Sequence, residues 1–174
     1  MIRFADINLS TAAEAIGDVA QNMQVFAFSK GQYGLLDCIR HIAGFDNDWQ
    51  LTVSAWQATG DALAKLAALP GIKSARFLID SSFPNRQPSY AWQMLQRFGD
   101  DALLVTKSHA KFALMRSDRF AIVIRTSMNL NEEGRLEMIE VDDDADMFAI
   151  FNRSVVGQRA GGMIKPAQGG FTYA

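Results

Sequence analysis

Short apolar segments alternate along this chain with segments of helical periodicity, and no other feature of the sequence restricts the fold as strongly. Residues 23–28, 49–56 and 75–80 have the apolar content and spacing of strands, whereas residues 32–43 and 60–69 repeat apolar side chains at helical intervals. Only short polar or glycine-containing loops separate these segments. Strands and helices that alternate in this way favour an α/β domain whose sheet is parallel in its first half.

The second half of the chain continues with one helix and then several strands close together. Pro88 is well placed to open a helix that runs to Phe98. Further strands are predicted at residues 102–106, 110–115, 120–124 and 136–141, and a last helix at residues 147–156. The predicted fold is therefore an α/β domain over residues 1–156, with a mixed, mostly parallel β-sheet flanked by helices. Residues 157–174 hold five of the 13 glycines and are predicted to form a tail that is flexible or ordered by a partner.

Composition excludes several classes of protein. No segment approaches the ~18 to 20 uninterrupted apolar residues of a membrane helix, and the first residues do not resemble a secretory signal. These features predict a soluble, cytoplasmic protein without membrane insertion. A lone Cys38 cannot form an internal disulfide, and two histidines with one cysteine are too few for a Cys/His zinc site. We therefore expect no metal and no cofactor.

Net charge gives a misleading first impression of possible partners. A charge of −2 argues against nucleic acid, because phosphates attract lysine and arginine. However, residues 61–131 carry ten basic and five acidic side chains, whereas residues 132–146 carry eight acidic side chains and one arginine. Within the acidic block, Asp142, Asp143 and Asp144 are placed to cap the last helix. A bound phosphate responds to the local field, so the net charge does not exclude a phosphodiester substrate.

Polar side chains of one chemical kind cluster around two of the predicted strands. His109 and Lys111 are two residues apart, so they project to the same side of an extended chain. Ser127 and Asn129 end the following strand with donors suited to phosphoryl oxygens. Glu137 lies on the next strand and is predicted to hydrogen-bond the His109 imidazole.

These residues resemble the His-x-Lys…Gly-Ser-x-Asn…Glu signature of the phospholipase D superfamily. The resemblance covers roughly residues 23–141. Within this range, residues 71–80 also look like the segment that precedes this motif in the family. Two departures stand out. Thr126 occupies the position of the family's glycine, and the family's aspartate has its nearest candidate in Asp118, two residues late, which we interpret as a turn residue.

The resemblance implies a metal-independent phosphodiesterase of the phospholipase D-like α/β/α type, most simply an endonuclease. His109 would attack phosphorus and form a phosphohistidine, while Lys111, Ser127 and Asn129 bind the non-bridging oxygens. The family's general acid is a histidine from a second motif, but His41 has no lysine two residues later and is interpreted as a helix-surface residue. The resemblance to single-motif bacterial nucleases therefore implies a homodimer with one composite site.

Four more residues are candidates for substrate binding, namely Lys30, Trp56, Arg125 and Asn131. Each has a simpler alternative, since Trp56 could pack in the core and the cations could be solvated surface residues. Two other functions remain open. One is a catalytically silent dimer that serves as a nucleic-acid-binding or assembly module, and the other is a phospholipid hydrolase. The sequence does not distinguish DNA, RNA or another phosphodiester.

Overall fold

The computed structural model describes residues 2–130, 134–156, 165–167 and 170–172. Asn131, one of the candidate substrate-binding residues, lies outside the described residues. So does most of the predicted tail 157–174, of which only two short strands are described. The boundary between domain and tail therefore stays a prediction.

In the described part of the chain, ten strands form one large sheet and one two-stranded hairpin. The strands of the large sheet are β1 (Ile2–Ala5), β2 (Gln24–Ser29), β3 (Trp49–Ser54), β4 (Ile72–Asp80), β5 (Leu103–Thr106), β6 (Phe112–Arg116), β7 (Ala121–Thr126) and β8 (Glu137–Asp143). The hairpin pairs β9 (Lys165–Ala167) with β10 (Gly170–Thr172) in antiparallel fashion.

Six α-helices within the described ranges connect or follow these strands. They are α1 (Ala12–Ile16), α2 (Leu35–Ala43), α3 (Gly60–Ala67), α4 (Phe83–Arg86), α5 (Pro88–Phe98) and α6 (Ala145–Val156). A 3-10 turn at Asp100–Ala102 leads into β5. Pro88 opens α5 as the sequence predicts.

Strand order in the large sheet is β1-β2-β8-β7-β6-β3-β4-β5. Strand β1 is parallel to β2, and β3, β4 and β5 are parallel to one another, whereas the four pairings that involve β6, β7 and β8 are antiparallel. The predicted α/β class with a mixed sheet is confirmed, but parallel pairs do not predominate. The reason is that the β6–β7–β8 meander inserts between β2 and β3 and separates the two parallel groups.

The sheet has helices on both faces. Apolar side chains of α1, α2, α3 and α5 form the main core with one face, around residues such as Ile39, Leu63 and Met94. A smaller cluster on the other face packs Met147, Phe148 and Phe151 of α6 against a patch that includes Leu114 and Val123. This arrangement is an α/β/α sandwich.

Local chemistry explains where several elements begin. The Thr11 hydroxyl accepts from the Glu14 amide while the Glu14 carboxylate accepts from the Thr11 amide, a capping box that starts α1. Asp144 Oδ1 accepts from the amides of Asp146 and Met147 at 2.9 Å each and caps α6. The predicted role of the acidic block at this helix is therefore correct for Asp144, whereas Asp142 and Asp143 belong to β8.

Among the residues described, no helix is long and apolar enough to cross a membrane.

Candidate active site

The polar residues singled out in the sequence meet at one edge of the large sheet, which we call the site edge. Strands β2, β3, β4, β5 and β7 end there, and the antiparallel strands β6 and β8 begin there. The pairing of Ser29 with Glu137 and of Ser54 with Phe112 fixes this alignment. In sheets with parallel strands, ligands commonly bind beyond the carboxyl ends of those strands.

His109 and Lys111 lie in an extended segment just before β6, which begins at Phe112. The prediction that β6 starts at residue 110 is therefore wrong. Side chains hold the Ala110 backbone instead. The Ala110 carbonyl accepts from the Ser54 hydroxyl at 2.6 Å, and the Ala110 amide donates to the Ser108 hydroxyl at 3.1 Å. His109 is exposed and Lys111 is half-buried.

Ser127 is anchored to the start of β8. Its hydroxyl bonds to Glu137 Oε2 and accepts from the Met138 amide at 3.0 Å, and its own amide donates to the Met138 carbonyl at 3.2 Å. The sequence predicts a hydrogen bond between Glu137 and the His109 imidazole, but the Glu137 carboxylate bonds to the Ser127 hydroxyl instead. The carboxylate of the motif thus holds a neighbouring hydroxyl.

Hydrogen bonds of its hydroxyl hold Thr126, which stands where the resembled signature has a glycine. Its hydroxyl donates to the Met138 carbonyl at 2.7 Å and accepts from the Met128 amide at 3.0 Å. The Thr126 amide also donates to the Lys111 carbonyl at 3.2 Å, which ties the segment of Ser127 directly to that of Lys111. The substitution of glycine therefore leaves the two clusters side by side.

Asn129 lies close to the end of β3. The neighbouring Leu130 amide donates to the Gln57 carbonyl at 3.0 Å, and Leu130 forms a bridge with Ala58. Asn129 Oδ1 is buried and has no hydrogen-bond partner among the described residues. Asn129 also lines a cavity of about 410 Å³ between the first turns of α2 and α3.

Trp56 contacts both His109 and Arg86, a residue that the sequence did not single out. The Trp56 and His109 rings are stacked, with centroids 3.9 Å apart and planes 26° apart. The guanidinium of Arg86 lies 4.1 Å from the Trp56 ring centroid, and its Nη2 donates to the Trp56 carbonyl at 3.4 Å. Trp56 is half-buried, so of its two interpretations the site residue fits better than the core residue.

Asp80 is a second site-edge residue that sequence analysis missed. It ends β4, and its Oδ1 accepts from the amide of Ser82 at 2.8 Å and from its hydroxyl at 2.6 Å. Burial raises the pKa of Asp80, but the Ser82 hydrogen bonds and the positive charges of His109 and Arg86 outweigh it and hold the pKa below its ordinary value. Its position at the carboxyl end of a predicted strand was the one available signal.

The candidate substrate-binding cations have different environments. Lys30 is exposed and follows β2 at the site edge. Arg125 Nη2 lies 2.8 Å from Glu140 Oε2 and 2.8 Å from Asp142 Oδ2, so two carboxylates already neutralise its charge. Arg125 is therefore not a free cation for phosphate.

Asp118 and His41 are the two residues that the sequence interprets as structural, one in a turn and the other on a helix. Asp118 is exposed in the turn between β6 and β7, at the opposite end of β6 from Lys111. His41 lies in α2, where its Nε2 is 2.7 Å from the Gly17 carbonyl oxygen and its ring packs edge-on against Phe45. Its ring is half-buried rather than on the open helix surface. Within the described ranges, no group of three or more His, Cys, Asp or Glu side chains is arranged to hold a metal ion.

Comparison with known proteins gives matches only among solved structures. No protein-family model and no curated protein matches the chain. The match to a crystal structure of polyphosphate kinase from Porphyromonas gingivalis covers 86% of this chain and 27% of the kinase chain, with a TM-score of 0.54 and 14% sequence identity. The match to a crystal structure of a phospholipase D family member, Nuc from Salmonella typhimurium, covers 65% of this chain and 78% of the Nuc chain, with a TM-score of 0.46 and 13% sequence identity.

The chain thus spans about a quarter of the polyphosphate kinase that it matches. At 14% identity the match concerns architecture and not chemistry. With the mixed eight-stranded sheet and its flanking helices already described, it shows that this chain shares its α/β fold with the polyphosphate kinase structure.

Proposed function

We propose that this protein is a phosphodiesterase of the phospholipase D type, acting as an endonuclease through a phosphohistidine. The proposal is supported by the positions of His109, Lys111, Ser127, Asn129 and Glu137, which all lie at or next to the strand ends of the site edge. Their types match the signature on which the sequence resemblance rests. The chain also shares its fold with a polyphosphate kinase structure.

The chemistry needs a nucleophile and donors for the phosphoryl oxygens. A neutral ring nitrogen of His109 uses its lone pair to attack phosphorus, and the bond between phosphorus and the leaving oxygen breaks. Lys111 and the Asn129 amide stabilise the charge on the non-bridging oxygens as the phosphorus centre rearranges. Water then attacks the phosphohistidine, which releases the phosphate product and restores the imidazole.

The leaving oxygen takes up a proton, and a single chain does not offer a second histidine to donate that proton. His41 is engaged with the Gly17 carbonyl in α2. A two-fold axis near the site edge would bring a second His109 to the same phosphate, where its imidazolium donates the proton. The proposal therefore includes a homodimer with one composite site.

A nucleic acid is the substrate class that the charges favour. The cations Lys30, Lys107 and Arg86 are exposed at or beside the site edge, and the half-buried Lys111 adds a fourth positive charge. Such a group of cations attracts a phosphate backbone and makes binding sensitive to salt.

A catalytically silent module is the second candidate. One observation favours it, namely that Ser127 and Glu137 are bonded to each other and Arg125 is neutralised, so part of the polar set is occupied internally. This protein would bind nucleic acid in a salt-dependent manner and turn over no phosphodiester.

The decisive experiment is cleavage of plasmid, single-stranded DNA and RNA in excess EDTA. We expect cleavage by the wild-type protein and a loss of about 10³-fold or more in His109→Ala, because the nucleophile is removed. His41→Gln is the matched histidine control and should retain activity. Binding without cleavage supports the silent module, and equal cleavage by His109→Ala refutes the proposed nucleophile.

The dimer is tested separately by sedimentation. We expect a dimer at micromolar concentration, and mixing with excess His109→Ala should inhibit the wild-type protein because mixed dimers lack one histidine of the composite site. A strict monomer that still cleaves would contradict the composite site.

A further inference from the structure

Arg86 ends α4 next to the site edge, and neutral groups hold its guanidinium there. Its Nε donates to the Ser82 hydroxyl at 3.1 Å, and its Nη2 donates to the Trp56 backbone carbonyl at 3.4 Å. The guanidinium also lies over the Trp56 ring, with Cζ 4.1 Å from the ring centroid. Because the Ser82 hydroxyl donates its own proton to Asp80 Oδ1 at 2.6 Å, it faces Arg86 as an acceptor. These contacts fix the guanidinium although the side chain is exposed.

The charge of Arg86 forms no ion pair with any carboxylate in the described part of the chain. Lys65 and Arg125, by contrast, each have a carboxylate oxygen at 2.8 Å. The Asp80 carboxylate bonds to Ser82 and not to Arg86. A guanidinium has five N–H groups, and the contacts with Ser82 and Trp56 use two of them. Within the described ranges, Arg86 therefore keeps three N–H donors and its positive charge for an anion.

Trp56 also limits the distance between Arg86 and the proposed nucleophile. Arg86 Cζ lies 4.1 Å from the Trp56 centroid and the His109 centroid lies 3.9 Å from it, so the two groups are at most about 8 Å apart. In a reactive complex the attacking and attacked atoms are about 3–3.5 Å apart. Guanidinium N–H groups bond to phosphate oxygens at about 2.7–2.9 Å. One phosphate group is therefore large enough to contact His109 through phosphorus and Arg86 through an oxygen.

We propose that Arg86 is a substrate-binding residue whose guanidinium binds a non-bridging oxygen of the phosphate that His109 attacks. Trp56 is the positioning residue that holds the cation and the imidazole at a fixed spacing. This role rests on the proposed function and adds a donor that the resembled signature does not contain. A guanidinium fixed in advance stabilises charge on the phosphoryl oxygens without having to reorient during the reaction. Arg125, the arginine singled out in the sequence, does not fit this role because two carboxylates neutralise it.

Binding of inorganic phosphate at pH 7, followed by NMR, tests the proposal without catalysis. The chain has two histidines, so the Cε1–Hε1 signal of His109 reports binding beside the nucleophile, and that of His41, whose ring contacts Gly17, reports the native fold. We expect Arg86→Gln to weaken phosphate binding by about 10-fold to 100-fold, because a charge-assisted hydrogen bond is lost. Arg97→Gln removes the same charge from an exposed position near the other end of α5 and should stay within about twofold of the wild-type affinity.

A second measurement separates direct contact from an effect transmitted through Trp56. The guanidinium N–H signals of Arg86, assigned by their absence in Arg86→Lys, should shift with the same phosphate midpoint as the His109 signal. Lysine keeps the charge but lacks the fork that bonds to Ser82 and Trp56, so Arg86→Lys should bind phosphate at least about threefold more weakly than the wild-type protein. If Arg86→Gln disturbs the His41 signal, the lysine variant decides the question. Wild-type phosphate affinity in the folded variants, or Arg86 signals that ignore bound phosphate, overturns the inference.

The proposed function and the role of Arg86 fail in different ways. If Arg86 binds phosphate as expected but no nucleic acid is cleaved, the endonuclease is refuted and the phosphate contact stands. If the wild-type protein cleaves and Arg86→Gln cleaves equally well, the function stands and the role of Arg86 is refuted. With both correct, kcat/KM falls about 10-fold to 100-fold in Arg86→Gln and is unchanged in Arg97→Gln. A short single-stranded DNA should also displace phosphate from the His109 and Arg86 signals, and DNA that binds without displacing it would contradict the contact with substrate.

Discussion

Replacing Arg125 by Met removes the one cation that two carboxylates of β8 share. Arg125 Nη2 contacts both Glu140 and Asp142 at 2.8 Å, and the Asp142 side chain is only 6% exposed. Methionine keeps most of the volume of the side chain and removes its charge. The variant therefore leaves a buried aspartate unpaired, next to a second carboxylate on the same face of the sheet.

The expected cost follows from burial and distance. At an effective dielectric constant of about 20, one ion pair with charges about 4 Å apart gains about 4 kcal/mol before solvation is counted. Removal of one partner from a fully buried pair typically costs about 3–5 kcal/mol. The Arg125 side chain is 39% exposed, so solvent screening reduces the estimate to about 2–3 kcal/mol.

Urea unfolding followed by circular dichroism measures this cost. With a slope of about 2 kcal/mol per molar urea, the midpoint should fall by about 1–1.5 M in Arg125→Met. The double variant Arg125→Met with Asp142→Asn should recover much of the loss, because the unpaired charge is gone. A decrease of less than about 0.3 M in the urea midpoint, or a double variant that is less stable than the single variant, would refute the reasoning.

Three further predictions concern other parts of the fold. Ser117→Ala should lower the melting temperature more at pH 7 than near pH 2. The Ser117 hydrogen bond is the main cause that lowers the pKa of Asp46, so this part of the stability exists above the ordinary aspartate pKa of 3.8 and is lost as pH falls, whereas the bonds from the Arg119 and Phe120 amides do not depend on pH in this way; an equal deficit at both pH values would contradict the prediction. Burial raises the pKa of the Cys38 thiol, so a thiol reagent at pH 8 should label Cys38 only in urea, and rapid labelling of the native protein would argue against the buried position. Thr126→Val removes the two hydrogen bonds of the hydroxyl and should cost about 1–3 kcal/mol in urea unfolding, whereas Asp118→Ala in the exposed turn should stay within about 0.5 kcal/mol.

Much of the fold could be predicted because apolar periodicity is a local signal. The segment that became β2 and the helix opened by Pro88 were both visible in the sequence, since buried elements show their periodicity. Strand β1 and helix α1 were not predicted. Strand β1 is largely exposed and helix α1 has five residues, so neither leaves a clear apolar repeat.

The candidate site was predictable only in its sequence-local part. The motif identified His109, Lys111 and Ser127, which are joined through neighbouring strand ends in the structure. The contacts of His109 with Trp56, and the influence of Asp80, depend on which strands become neighbours. Strand order is set by long-range packing, and the sequence pattern did not foresee that β6–β8 would separate the parallel groups.

The pairing of β2 with β8 has a consequence for the order in which the chain folds. The Asn22 amide bonds to the Asp143 carboxylate across 121 residues of sequence, and β1 joins the sheet only through β2. During synthesis the backbone edge of β2 that pairs with β8 therefore stays unpaired until β8 has been made. Pairings of such long separation form slowly and expose the nascent chain to aggregation. Slower synthesis at low temperature, or chaperones that shield the first 30 residues, should thus raise the yield of folded protein.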